Sequence, residues 1–374
     1  MARAQMTYYI VTILLLAVLA IVECAIRLPK RWERLLLAFT YLFLVAQLGL
    51  RWETGTDWNN YYFHFVGTIR WSDIRPNSTS PEYGYNLLVW LVHSITDSYS
   101  LFLTVHAAMF YGLLIAGLHY LTRMTYLPLL MVYCAMFGYT GANRELLALA
   151  VGLYALRYLI EGRIGRYFLL LFVAVSFHYS ALLMLFYIPL LRMKRLWVIA
   201  VFVVICLVIG STNLPLTAFE TVGNFFGGSL GSKALFYINS KGDEAGAALG
   251  MAGLVRRLIY LAIALAGRRK LIEIYPNYDF YLTLYMFGMG IYFLFARSLL
   301  IMVSRGSVYF EIFGPVLLSI QLLLLKTNRQ RVPALIGYAG FAVVLFVQSI
   351  SVFSELFVPY KGLFLNSGYS RTME

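Results

Sequence analysis

The sequence predicts an all-α fold, a polytopic membrane helical bundle with about ten transmembrane helices, and three observations predict it. Of 374 residues, 61% are hydrophobic and only 13% charged, about half the charged share of a soluble domain. That much apolar surface needs lipid as its solvent. Apolar runs repeatedly reach the ~20 residues a helix needs to cross the hydrocarbon core. The alternation of an outer-membrane barrel is absent, and a helix satisfies its own backbone in lipid.

The runs place spans at 7–26, 35–50, 100–121, 125–140, 145–160, 196–211, 250–266, 279–296, 308–325 and 332–352. The first is followed by Arg27, Lys30, Arg31 and Arg34 with no small-residue cleavage site, so it reads as a retained span. Residues 84–97 are apolar at helical spacing but only about 21 Å long. With Asn86, His93 and Asp97 among them, they read as an outer amphipathic helix. Tyr167–Leu191 is apolar around His178, with Arg163 and Arg166 before it and Arg192, Lys194 and Arg195 after it. A re-entrant helical hairpin keeps both basic clusters inside, as the charge asymmetry of membrane proteins asks. The inner loops then hold 16 of the 30 Lys and Arg, and both termini lie outside. Residues 1–374 read as a single transmembrane domain, with outer loops 51–99 and 211–249 and an outer tail 353–374.

The net charge of +13 sits in short patches between apolar runs, which records topology and argues against nucleic acid. Cys24, Cys134 and Cys206 lie inside apolar runs, so no disulfide framework is expected. No His or Cys spacing suggests a metal, and no cofactor is expected. Without Asp-x-Asp, a metal-held nucleotide-sugar diphosphate is disfavoured. Gly227–Lys233 lacks the Gly-Lys-Ser/Thr end of a phosphate loop and reads as an outer loop.

Chemistry must then come from outer loops and span ends. Arg51, Glu53 and Asp57 open the first outer loop. A carboxylate there can deprotonate a sugar hydroxyl attacking an anomeric carbon; it can equally pair with Arg51 or cap the next helix. Trp52, Trp58, Tyr61, Tyr62, Trp71, Tyr83 and Tyr85 crowd the same loop, as an interfacial belt or as sugar-stacking platforms. Arg144 stands at an outer span end, where it can grip a phosphate at two points, snorkel or pair with Glu145. His178 lies about 18 Å along the helix from Arg166, deep enough to be a functional candidate or a hydrogen-bonded core residue. Arg256 and Arg257 interrupt an apolar span, and Arg297 and Arg305 bracket the short outer loop before Tyr309 and Glu311. Their convergence on one outer cavity would suit a pyrophosphate. Pairing with Glu53, Glu145 or Glu311 would leave no such pocket.

Taken in order, Arg51-x3-Gly55-x-Asp57-x3-Tyr61, Asn143-Arg144-x3-Ala148, Phe177-His178-Tyr-Ser180-Ala-Leu, Arg305-x3-Tyr309-Phe310 and Pro359-Tyr360 resemble the EpsG family of polysaccharide polymerases. These are relatives of the Wzy O-antigen polymerases within the GT-C class. The hydrophobic pattern from about 30 to 362 agrees. Glu145 departs from the glutamine the family often carries there.

The resemblance implies an undecaprenyl-diphosphate-linked glycan as donor and a second lipid-linked repeat unit as acceptor. The expected setting is the bacterial inner membrane, with the site on the periplasmic or exterior side and a chain-length regulator as a further partner. It implies Asp57 as general base, and Arg51, Arg144 and Arg305 as the groups that hold the diphosphate. The residues themselves add Glu53 as the fallback base, and Arg256, Arg257 and Arg297 as further diphosphate candidates. His178 would lie at the cavity floor, with Tyr61, Tyr309 and Tyr360 on the substrate and acceptor side. Two other functions fit the same class of lipid: transfer of a single sugar from a polyprenyl monophosphate, and flipping of the lipid-linked glycan. A flippase should show inverted repeats, which the sequence lacks.

Overall fold

The computed structural model describes residues 6–26, 28–76, 82–193, 195–226 and 251–371. Gly227–Lys233 and most of the outer segment 211–249 lie outside the described residues, as do Arg27 and Lys194. The described part is all-α: no strand forms among those residues, and one isolated antiparallel bridge joins Arg51 to Gly362.

The chain divides into two compact units, Met1–Leu182 with Leu325–Glu374, and Leu183–Leu324. The first is built from α1 (Thr7–Ala25), α2 (Lys30–Gly49), α3 (Trp58–Gly67), α4 (Tyr83–His93), α5 (Tyr99–Thr122), α6 (Tyr126–Met136), α7 (Asn143–Ile160) and α8 (Ile164–Phe177). The second holds α9 (Tyr187–Leu191), α10 (Leu196–Gly210), α11 (Leu214–Phe226), α12 (Met251–Ile274), α13 (Tyr278–Phe295), α14 (Leu300–Gly306), α15 (Val308–Glu311) and α16 (Phe313–Gln321). The chain then returns to the first unit with α17 (Asn328–Ile350) and α18 (Ser354–Phe357).

Each expected span corresponds to a helix, or to a run of short helices over 308–324. Three of them are long and apolar enough to cross a membrane by themselves: Thr7–Ala25, Tyr99–Thr122 and Asn328–Phe357. Leu196–Gly210 with Leu214–Thr221 passes that test as a pair bent by 82°. Others are short, such as Tyr126–Tyr139 and Ile164–Phe177, or are interrupted by arginines, as α12 is.

Side-chain distribution identifies lipid as the medium. On α1, Tyr9, Ile13, Leu16 and Ala20 are buried at three- and four-residue spacing, while Ile10, Val11, Leu14 and Val18 are exposed. On α10, Val201, Val204, Ile205, Leu207 and Val208 are exposed, and α17 exposes Ile336, Val343, Val344 and Val347. Apolar stripes of this kind are foreign to a water-soluble surface. The chain is a membrane protein.

In the first unit α7 packs on α5 and α8, α5 on α2, and α17 on α1 and α6. One end gathers the loops expected inside: Glu23 accepts from the amides of Thr125 and Tyr126, and Asn328 donates to Ala25 O. The other end gathers segments expected outside: Thr56 donates to Thr140 O, and Leu363 to Leu50 O. The second unit is organised on α13, buried along most of its length and packed by α10 and α16.

The segment 167–191 is not one helix. It breaks at His178, which has extended backbone (φ −156°, ψ 125°). Beyond it a 3-10 helix runs over Tyr179–Phe186 into α9.

Candidate active site

The loop after α2 is shaped by close backbone approach. Gly55 has φ +109° and Gly141 has φ +119°, a region that costs glycine nothing and other residues much. A side chain on Gly55 would start 2.5 Å from Thr140 O, and one on Gly141 would start 2.6 Å from Thr56 N. The two glycines let the first outer loop lie against the turn that starts α7. Asp57 and Arg144 are thereby brought into the same neighbourhood from positions far apart in the chain.

Asp57 is the residue before α3, yet its side chain makes no capping hydrogen bond. No ion pair engages it among the described residues, and it is neither buried nor fully exposed. Of the two expected fates, pairing with Arg51 or capping, the structure adopts neither. Glu53, the fallback base, is committed: its Oε2 lies 2.5 Å from Lys361 Nζ on the tail. Around that pair Trp52 N donates to Lys361 O, and Lys361 N donates to Thr54 Oγ1. The tail is therefore laced to the loop. Tyr360 is part of this strap, buried, with its hydroxyl on Gln47 O at 2.8 Å.

Arg144, at the start of α7, donates from Nη1 to Glu82 Oε2 at 2.5 Å and from Nε to Tyr61 OH at 3.1 Å. Its partner is thus Glu82 rather than the adjacent Glu145. Tyr61 lies one turn beyond Asp57, whose carbonyl accepts its amide. Nη2 of Arg144 has no hydrogen bond among the described residues.

Arg51 is 1% exposed. It donates to Leu48 O at 2.6 Å and to Asn143 Oδ1 at 2.7 Å, with no carboxylate beside it among the described residues. Beside it is a cavity of about 10 Å³ lined also by Gln47, Thr54, Thr140 and Tyr360, space for about one water. An arginine buried in this way ties the loop to the residue that precedes Arg144.

His178 is 8% exposed, and its Nδ1 lies 2.5 Å from Ser180 Oγ and 3.4 Å from Ser180 N. It caps the 3-10 helix that follows, so the hydrogen-bonded core reading offered by the sequence describes its geometry.

The remaining candidates lie in the second unit. Glu311 takes both expected arginines: Arg257 donates to it from Nε at 3.0 Å and also from Nη2, and Arg256 Nη2 lies 3.3 Å away. Ser307 Oγ adds a bond of 2.7 Å, and the Arg257 guanidinium lies 3.7 Å from the centre of the Tyr292 ring. Two cations on one anion leave a net positive cluster. Arg297 is exposed and donates to Ser211 O at 3.1 Å. Arg305 stands in the last turn of α14, and Tyr309 is fully buried, its carbonyl accepting from Tyr187 OH.

Sequence reasoning missed Glu82 and Lys361, the partners of Arg144 and Glu53, and it missed His64. One signal for His64 was present: Tyr61 and His64 stand three apart on one face of α3, the spacing that follows Asp57 just before it. Nothing local pointed to Glu82 or Lys361, because both pairings are tertiary.

No curated protein and no solved structure matches the chain. The model of the EpsG family matches residues 34–362, a stretch that takes in Asp57, Arg144, the His178 break, the Glu311 cluster and the strap at Tyr360. With seven-eighths of its length covered, this chain belongs to the EpsG family, a polysaccharide polymerase family of the Wzy type.

Proposed function

We propose that this protein joins undecaprenyl-diphosphate-linked oligosaccharide repeat units into O-antigen, capsule or exopolysaccharide on the outer face of a bacterial inner membrane. The observation that carries the reading is the Asp57 carboxylate, unpartnered among the described residues on a residue one helical turn before Tyr61, whose hydroxyl receives Arg144. A carboxylate committed to neither a cap nor an ion pair is free to accept a proton.

In this reading the acceptor's sugar hydroxyl attacks the anomeric carbon of the donor glycan. The new glycosidic C–O bond forms as the bond to the diphosphate breaks. Asp57 takes the hydroxyl proton, and the electron pair leaves on undecaprenyl diphosphate. The oxocarbenium character of the transition state also favours a nearby anion. Arg144 Nη2 is the group available to the diphosphate, while Tyr61 and Glu82 fix the guanidinium plane. Preorganised donors of this kind act without reorganising during the reaction. Arg51 sets the loop in place from behind. Within the second unit, Arg256 and Arg257 on Glu311, and apart from them Arg297 and Arg305, are further anion-binding candidates.

The test is incubation of purified protein in detergent or vesicles with the lipid-linked repeat unit. A ladder of products that disappears in Asp57→Asn supports the reading. Addition of one sugar from a polyprenyl monophosphate would replace it with the single-sugar transferase. Lipid translocation without a new glycosidic bond would replace it with the flippase.

A further inference from the structure

We propose that His64 takes a proton from solvent as a lipid diphosphate settles against Arg144, and donates it as a hydrogen bond to a phosphate oxygen. This rests on the reading of Arg144 as the diphosphate-binding arginine and adds a second, proton-dependent ligand to that site.

His64 is on α3, on the face that carries Tyr61, with Asp57 just before the helix. Its ring stacks on Tyr85 at 6.0 Å, and Tyr85 meets the edge of Tyr61 at 5.5 Å. Tyr61 in turn holds Arg144 Nε. Asn86 is a polar neighbour of the imidazole, and its amide is itself fixed by donation to Ile74 O at 3.2 Å. The ring is therefore held by its stack on Tyr85. Its Nε2 is buried and has no hydrogen-bond partner among the described residues. A buried nitrogen left without a partner is costly and uncommon. Here it also belongs to the chain of rings His64, Tyr85 and Tyr61 that ends on the Arg144 guanidinium, 5.6 Å from the centre of the Tyr61 ring.

The electrostatics give the direction of the switch. Burial lowers the His64 pKa from its ordinary value, and the Arg144 charge lowers it further, against the polar Asn86 side chain. The other titratable groups on α3 and on the elements packed against it are Asp57 just before α3 with Tyr61 and Tyr62 on it, Glu82 just before α4 with Tyr83, Tyr85 and His93 on it, and Tyr99, His106, Tyr111, His119 and Tyr120 on α5. Glu82 is held by Arg144. A diphosphate bound at Arg144 brings more negative charge than the guanidinium has positive. The coulombic effect on His64 then changes sign, and the imidazolium becomes the favoured form. Linkage requires the converse: a proton on His64 tightens diphosphate binding.

Isothermal titration of the full chain in detergent with farnesyl diphosphate tests this, in two buffers of different ionisation enthalpy. Binding should strengthen as pH falls from 7.5 to 6.5, by about threefold or more and at most tenfold for one proton per pH unit. His64→Gln should remove that part of the slope and of the proton uptake. His64→Phe, which keeps the stacked ring, should do the same and covers the case where the polar variant fails to fold. Proton linkage belonging to the diphosphate itself persists in both variants, so the difference between proteins is the readout. Binding that retains its full pH slope in either folded variant overturns the role of His64 and leaves Arg144 standing. Absence of binding by the wild type, or binding unchanged in Arg144→Ala, overturns both.

Discussion

Arg144 Nη1 and Glu82 Oε2 lie 2.5 Å apart, joining α7 to a position 62 residues earlier in the chain, with side chains only 15% and 4% exposed. The pair does two things at once. It offsets the cost of a nearly buried cation, and with Tyr61 it holds the guanidinium with Nε and Nη1 committed and Nη2 left over. A lysine keeps the charge but cannot bond Tyr61 and Glu82 from a planar group. Arg144→Lys should therefore lose tenfold or more of polymerising activity while the protein still inserts. Activity at the wild-type level would show that charge alone suffices.

Removing only the anion asks what the pair contributes to the fold. Glu82→Gln leaves Arg144 largely desolvated and unneutralised, a change that costs about 3–5 kcal/mol where the site is closed. A clear fall in thermal midpoint in detergent is expected. An unchanged midpoint would mean that water reaches the pair freely.

Asp57→Asn should cut chain extension by about 10²–10⁴-fold, the usual contribution of a general base. Its side chain caps nothing and pairs with nothing among the described residues, so the thermal midpoint should stay close to wild type. Loss of folding together with activity would make Asp57 structural.

Glu53 and Lys361 form a different kind of pair, the clasp between the tail and the first outer loop. Glu53→Ala and Lys361→Ala should each loosen the tail to protease and reduce activity less than Asp57→Asn does. The double variant should resemble the singles, because one interaction is lost in all three. Additive losses would dissociate the two side chains, and a Glu53→Ala protein as inactive as Asp57→Asn would move the base to Glu53.

The topology of 167–191 can be read by labelling. In a background lacking Cys24, Cys134 and Cys206, cysteines placed at Ile164 and Met193 should both react from the cytoplasmic side. Labelling from opposite sides would make the segment a crossing.

The sequence by itself determined the solvent and the approximate helix positions. Helices from Thr7–Ala25 to Asn328–Ile350 follow the apolar runs, though α2 starts as early as Lys30 and α12 runs on to Ile274, because in lipid the backbone must bond within its own segment. The motif residues around Asp57, Arg144 and Tyr360 were also legible, as a family pattern. Only the tertiary structure decided who meets whom. Arg144 chose Glu82 over its neighbour Glu145, Arg256 and Arg257 converged on Glu311, and Glu53 was claimed by a lysine 308 positions away. An apolar run is set by local chemistry summed over ~20 residues. The partner of a buried charge is set by whichever group the packed helices bring within about 3 Å, and no local pattern encodes that distance.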